Sequence, residues 1–373
     1  MEVQSKYRDM KILHLINSLD TGGAEKLILE SLPLFNKENI KTDLAILNGY
    51  NYPFLKALKR LNCCSIISLG NKSIYNPFLI FKIIPLLKKY DIVHVHIFPS
   101  LYWVALAKIL SFSQTKLVYT EHSTSNNRRK KYLFKVFDKI IYAQYSKIIT
   151  ISPEVDINIK KHLNFNNDKF KLIENGINLN TIRSTKAIDR IRISPNINDS
   201  LSVITQVSSF RYPKDQKTVI KSLRDLQEHV VLILIGNGPL RVECEILAEE
   251  LGVSHRVFFL GIRMDVVSIL KASDIIILSS HHEGLSLSCI EGMASGKAFI
   301  ASNAPGLGDI VKGAGVLFPI NDNTTLVKKI NKLLTDKTYY NQVVDNCLER
   351  AQDFSINHTI RKEINLYNTL IKL

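Results

Sequence analysis

Residues 275–296 read Ile-Ile-Ile-Leu-Ser-Ser-His-His-Glu-Gly-Leu-Ser-Leu-Ser-Cys-Ile-Glu-Gly-Met-Ala-Ser-Gly. The unbroken apolar run Ile275–Leu278 predicts a strand buried on both faces. A polar turn containing Gly284 follows, and apolar residues at helical spacing then predict a helix over Leu287–Ala294. Strand, short loop and helix in that order form the repeating unit of a parallel α/β sheet.

The same alternation extends through the chain. Strands are predicted upstream at Ile12–Ile16, Asp43–Leu47, Ser65–Leu69, Ile92–His96, Lys116–Thr120, Ile148–Ile151 and Phe170–Ile173, with helical patterns between them. From Asn175 to Ser200 the sequence is polar and aperiodic, which predicts a linker. A second series follows, with strands at Val203–Ser208, Val230–Ile235, Val257–Leu260, Ile275–Leu278, Phe299–Ser302 and Val316–Phe318. Helical patterns at Tyr340–Gln352 and Asn357–Lys372 end the chain. The expectation is an α/β protein of two doubly wound domains, 1–195 and 196–355, facing each other across a cleft. Ligands in such sheets sit beyond the carboxyl ends of the strands.

Composition narrows the function. The chain has 373 residues, 46% hydrophobic and 22% charged, which excludes disorder, collagen and coiled coil as the main architecture. Its net charge of +15 is one-sided: residues 1–195 hold 30 Lys/Arg against 15 Asp/Glu, whereas 196–373 hold 19 of each. Such asymmetry points to an anionic surface or ligand met by one domain. Five scattered cysteines without CxxC spacing fit a reducing cytosol better than a disulfide framework or zinc site. Lys11 and His14 interrupt the first apolar stretch, so it reads as a strand and not a signal core. No window approaches the ~18 apolar residues of a membrane span. The expectation is a cytoplasmic protein, soluble or attached to a membrane surface. Nothing beyond charge suggests nucleic acid, and no RNA-recognition or zinc-finger pattern is present.

Several loops fall where chemistry is expected. Asn17–Glu25 carries Gly22 and Gly23 at a strand-to-helix turn, suited to a phosphate or simply to a tight turn. Gly236-Asn237-Gly238-Pro239 repeats the theme, with the same two readings. Arg211 and Lys214 follow a strand and read either as cations placed to neutralise a diphosphate or as the exposed Lys and Arg common in any loop. Glu283 and Glu291 lie eight residues apart around a helix start. Carboxylates accept from paired sugar hydroxyls, and free N–H groups over Gly284–Leu287 would face an anion; Ser288-x-x-Glu291 also matches a capping box. His281 and His282 lack metal-site spacing. His122 ends a strand of the first domain. The run Asn127–Lys139, NRRKKYLFKVFDK, reads either as a basic amphipathic helix for an anionic bilayer or as a solvated helix face.

Together these motifs resemble the family-4 glycosyltransferases of the GT-B fold, the retaining type found in bacterial surface-polysaccharide synthesis. Glu283 to Glu291 matches the family's E-x7-E motif, followed by Gly-Met-Ala-Ser-Gly-Lys. Gly22-Gly23-Ala24-Glu25, Glu174-Asn175-Gly176-Ile177, Gly236-Asn237-Gly238-Pro239 and Phe259-Leu260-Gly261 match in order and spacing. The resemblance implies sugar transfer from a nucleotide-sugar to a glycan or lipid-linked acceptor, without a metal or cofactor, and the one-sided charge adds the inner face of an anionic membrane as its place. It implies catalytic roles for His122, Arg211, Lys214 and Glu283. Donor contacts fall to Gly22, Gly23, Gly236, Asn237, Gly238, Pro239, Leu260, Gly261, Gly284, Leu285, Ser286, Leu287 and Glu291. The last helix, 356–373, would return to the first domain. The family's arginine five residues before its lysine falls here on Ser209, and Arg211 stands two residues later. A non-catalytic nucleotide-sugar binder on the same fold is the alternative.

Overall fold

Runs of Ile, Val and Leu buried on both faces require a sheet covered by helices on both sides. A computed structural model of the chain, describing residues 10–123, 132–165 and 167–371, contains two such sheets. The chain divides into two compact units, one formed by Met1–Gly176 with Ile356–Leu373 and the other by Ile177–Ser355.

The first unit holds β1 (Lys11–Ile16), β2 (Lys41–Ile46), β3 (Ile66–Ser68), β4 (Ile92–His96), β5 (Lys116–Glu121), β6 (Lys147–Thr150) and β7 (Phe170–Leu172). All pair in parallel, in the order β3-β2-β1-β4-β5-β6-β7. One face packs on helices 79–89, 100–111 and 132–143 around Leu13, Val93, Val104 and Tyr142. The other carries Ile12, Ile92, Val118 and Ile149 and is covered by Leu27 and Phe35 of helix 23–37 and by Ile360, Ile364 and Tyr367 of helix 356–371. The terminal helix is thus part of the first unit's core.

The second unit holds β8 (Ser202–Val207), β9 (Val230–Ile235), β10 (Val257–Gly261), β11 (Ile275–Leu278), β12 (Ala298–Ser302) and β13 (Val316–Phe318). They also pair in parallel, in the order β10-β9-β8-β11-β12-β13. Each sheet therefore reverses its strand order once, between β1 and β4 and between β8 and β11. At such a switch point the loops leaving two adjacent strands run to opposite sides and open a crevice.

The boundary between units differs from the one read at residue 195. Residues 177–195 belong to the second unit, because Ile188, Ile193 and Ile197 bury against Val203, Val231 and Ile269. Arg190 fastens the segment with paired bonds of 2.9 and 3.0 Å to the Asp274 carboxylate and one to the Ala272 carbonyl. Two short helices, Leu179–Ser184 and Arg190–Ile193, stand where a structureless linker was expected. Asn178 and Asp189 cap them by accepting from the N–H groups of Thr181 and Ile191. Among the described residues no helix is long and apolar enough to cross a membrane.

Candidate active site

The switch point of the second sheet brings together residues 69 positions apart. β8 and β11 are neighbours, so the loops Ser208–Asp215 and Ser279–Ser286 leave side by side. They are laced together: the Asp215 N–H donates to the Ser279 carbonyl at 3.1 Å, and the His281 N–H to the Pro213 carbonyl at 2.9 Å. Asp215 caps helix 216–223 through Oδ1 and accepts from the Ser279 hydroxyl through Oδ2 at 2.9 Å. This lacing holds Lys214 opposite Glu283, and the Lys214 ammonium donates to Glu283 Oε1. Both side chains are largely shielded, 15% and 9% exposed. The Glu283 N–H is fixed on the Pro305 carbonyl at 3.0 Å.

Helix 287–294 starts next to this pair. Ser286 is its N-cap residue, so Ser288-x-x-Glu291 is not a capping box and Glu291 sits beyond the first turn, buried. The backbone N–H groups of Gly284, Leu285, Ser286, Leu287 and Ser288 meet no hydrogen-bond acceptor among the described residues. Leu285, Ser286 and Leu287 are themselves buried. A cation and a run of unsatisfied donors at a helix N-terminus make an anion-binding surface, reinforced by the helix dipole. Glu283 then offers carboxylate oxygens beside it.

The glycines of the second unit serve an approach between loops. Gly236 adopts φ +137°, and a Cβ there would lie 2.1 Å from the Ser208 carbonyl oxygen. Gly238 stands equally close to the Phe210 carbonyl, at 2.4 Å. The Phe210 N–H donates to the Asn237 carbonyl at 3.1 Å, tying the Gly236–Pro239 loop to the one bearing Lys214. Gly261 also has positive φ, +63°, and its carbonyl accepts from the Gly236 N–H at 2.8 Å. Leu260 therefore joins the same set of loop ends. By contrast, Gly22 and Gly23 need no special dihedral. Gly22 is an extended N-cap residue, and a Cβ on Gly23 would meet nothing within 4 Å. Gly236→Ala is accordingly expected to destabilise the second unit by about 3 kcal/mol, from strain plus overlap. Its melting temperature should fall by roughly 6–12 °C; Gly23→Ala should melt as the native chain does.

Arg211 is exposed, and its guanidinium bonds no described residue. Ser209, where the resembling family has arginine, is exposed too. His281 stacks on Tyr212 and His282 meets the same ring edge-on, so both imidazoles pack against an aromatic ring.

In the first unit, β1 and β4 flank the switch point. Asn17 bridges their ends, donating to the Phe98 carbonyl at 2.8 Å and accepting from the Ser100 N–H. Glu25, in the first turn of helix 23–37, folds its carboxylate over Gly22. Burial raises its pKa, and the charge of Asp20 adds to the rise. His122, half-buried, follows β5 and is the open end of an imidazole ladder that sequence reasoning did not detect. His96 Nδ1 lies 3.3 Å from His122 Nε2, and His96 Nε2 lies 3.1 Å from His14 Nδ1. Beside them His94 bonds Tyr367 Oη and Thr120 Oγ1, each at 2.6 Å. Burial drives His14 down to about 3 and His122 to about 4. It also pushes His94 and His96 well below the usual imidazole value, with neighbouring imidazoles adding. All four are neutral at pH 7. Ring nitrogens of His14, His94 and His96 come within 4.8 Å of one another, as a metal site would require. Both nitrogens of His94 and of His96 are already bonded, so an ion there would have to displace a hydroxyl or another ring.

Comparison with known proteins adds to this geometry. Residues 21–181 match the Glycosyltransferase Family 4 model, and residues 187–350 match that of glycosyl transferases group 1. The chain is 24% identical over 392 residues to the UDP-Gal:alpha-D-GlcNAc-diphosphoundecaprenol alpha-1,3-galactosyltransferase of Escherichia coli, covering 99% of each. It is 25% identical over 292 residues to the N-acetyl-alpha-D-glucosaminyl L-malate synthase of Bacillus anthracis, covering 75% of this chain and 74% of that protein. In structure it is similar to Anabaena HepE in complex with UDP and glucose, with a TM-score of 0.84 at 22% identity over 98% and 100% of the two chains. WaaG, a glycosyltransferase of lipopolysaccharide biosynthesis, aligns with a TM-score of 0.71 at 16% identity, over 95% and 99%. The two Rossmann-like units are those of the GT-B fold.

Proposed function

We propose that this GT-B glycosyltransferase, related to bacterial surface-polysaccharide synthases, moves a sugar from a nucleotide-sugar to a glycan or lipid-linked acceptor with retention of anomeric configuration. The observation that carries this reading is Lys214 paired with Glu283 next to the unsatisfied N–H groups of Gly284–Ser288. As the bond from the anomeric carbon to the diphosphate breaks, negative charge collects on the leaving oxygens. Lys214 and those N–H groups supply the positive potential this needs, from positions set before the reaction. Arg211 adds a second cation from its exposed place in the same loop. Glu283 accepts from donor-sugar hydroxyls, Glu291 from the ribose, and the loops at Gly236–Pro239 and Leu260–Gly261 border the base. Gly22, Gly23 and His122 act from the first unit, on the phosphate and near the reacting carbon. The acceptor oxygen attacks the face the diphosphate leaves, and no divalent cation takes part.

UDP-sugars are the first donors to try, since HepE binds UDP-glucose and the E. coli relative is named for UDP-Gal. A bound donor raises the melting temperature, because it binds only the folded chain. Turnover should persist in excess chelator and vanish in Glu283→Ala. A donor that shifts melting yet is never consumed with any lipid-linked or glycan acceptor would favour the non-catalytic binder.

The membrane reading rests on the first unit. Helix 132–143 leaves Val136, Phe137 and Ile140 exposed beside Lys135 and Lys139, an apolar strip with basic flanks. Arg128, Arg129, Lys130 and Lys131, which complete the basic run, lie outside the described residues. Replacing these four by Gln should lower partition onto phosphatidylglycerol vesicles by roughly a hundredfold or more, at roughly 1 kcal/mol each. Unchanged pelleting would remove the anionic surface as a partner.

A further inference from the structure

The hydrogen-bonding order of the imidazole ladder decides which nitrogen of His122 carries its proton. Three neutral rings stand in line, with two contacts between them: His14 Nδ1 to His96 Nε2 and His96 Nδ1 to His122 Nε2. A neutral imidazole has one N–H and one lone pair, and each contact needs one of each. Only two arrangements satisfy both contacts. In one, every ring is protonated on Nε2 and the proton of His14 points away from the ladder. In the other, every ring is protonated on Nδ1 and the spare donor is at His122.

The inner end selects between them. His14 is 1% exposed, and its Nε2 is buried without a hydrogen-bond partner. Protonation there would strand an N–H group away from water, and orphaned buried donors are far rarer than under-used acceptors. A bare lone pair costs less. The donor therefore belongs at the other end, where His122 is half-buried and its Nδ1 bonds no described residue. The rings cannot escape the choice by becoming cationic, because burial keeps all of them neutral at pH 7.

We propose that His96, backed by His14, is a positioning residue that holds His122 as its Nδ1–H tautomer, so that His122 presents a hydrogen-bond donor to an oxygen of the bound sugar. The tautomer follows from the ladder alone; the oxygen it meets rests on the transferase reading above. His14 and His94 are register partners on adjacent strands, and His96 is two residues further along the same face. The two central strands thus fix His14 and His96 behind the ring of His122, which itself follows β5.

Nitrogen-15 correlation spectra of the full chain, labelled in histidine, distinguish the two tautomers ring by ring. His122, His96 and His14 are all expected as Nδ1–H. In His96→Leu, His122 loses its donor and should move to the Nε2–H form that neutral histidine prefers in water. His96→Asn puts an amide donor where Nδ1 was and should restore Nδ1–H at His122, even if the chain is less stable. Where a donor sugar is turned over, kcat/KM should fall roughly tenfold or more in His96→Leu and recover in His96→Asn. His122 found as Nε2–H in the native chain, or unmoved in His96→Leu, overturns the proposal. Correct tautomers in a chain that turns over no nucleotide-sugar would leave the ladder standing and count against the transferase reading alone.

Discussion

Lys214→Ala is expected to lower kcat for sugar transfer by about 10²–10³, the loss seen when one fixed donor to a developing oxyanion is removed. The ammonium is shielded, pinned by the laced loops and already oriented, so in the proposed reaction it would need no reorganisation as charge moves to the leaving diphosphate. Truncation also strands Glu283, and a buried carboxylate without its partner destabilises by several kcal/mol. The single variant thus mixes lost catalysis with lost stability. Lys214→Met with Glu283→Gln separates them: the double variant should regain melting temperature yet stay inactive, and the two single losses in kcat should not add. Lys214→Arg keeps the charge but spreads it over a planar fork, so an intermediate rate is expected. The measurement is initial rate against donor concentration at a fixed acceptor. A kcat within a few fold of the native value in Lys214→Ala would remove the pair from the chemistry.

The architecture was legible because its strands are buried on both faces. Ile275–Leu278 or Val230–Ile235 carries no alternation to be misread, and flanking Gly, Asn and Ser mark where each strand ends. The segment 177–197 was misread for the converse reason. Its large apolar residues, Ile177, Leu179, Ile182, Ile188, Ile191, Ile193 and Ile197, are interspersed with polar ones without a single period, and only the surface waiting in the second unit gives Ile188, Ile193 and Ile197 a place to pack. Lys214 was visible as a cation suited to a diphosphate and Glu283 as a carboxylate suited to sugar hydroxyls, but their pairing depends on β8 lying next to β11, across a reversal in strand order. The imidazole ladder was hidden the same way. His94-x-His96 does put two rings on one strand face, yet His14 joins them only once β1 pairs with β4. Helix 356–371 brings Tyr367 to His94 from 273 residues away.

That buried ladder makes the first unit acid-sensitive. In the unfolded chain His14, His94, His96 and His122 take up protons near pH 6.5, whereas the folded unit keeps them neutral, His122 down to about pH 4 and His14 down to about pH 3. Below pH 6.5 the unfolded state therefore binds more protons, and stability falls as pH falls, by about 1.4 kcal/mol per pH unit for each ring. Four rings give about 5 kcal/mol per unit, and a domain has only ~5–15 kcal/mol in all. Glu363 works in the opposite sense. Burial raises its carboxyl to about 8, so the folded unit keeps a proton that the unfolded chain releases above about pH 4.5, and stability declines as pH rises towards 8. The two slopes place maximum stability of the first unit near pH 7, with the steeper fall on the acid side. Trp103 is the single tryptophan of the chain and lies in this unit, its indole N–H bonded to the Ile74 carbonyl at 2.8 Å, so its fluorescence follows this unit alone. Urea midpoints read from Trp103 should drop sharply between pH 6.5 and pH 5, with a net uptake of about three protons on unfolding, four by the rings less one released by Glu363. Glu363→Gln should flatten the decline between pH 7 and 8 and steepen the acid limb, because the carboxyl no longer offsets one of the protons taken up by the rings. A Trp103 midpoint that is level from pH 7 to pH 5 would mean that the rings are not held neutral in the folded unit.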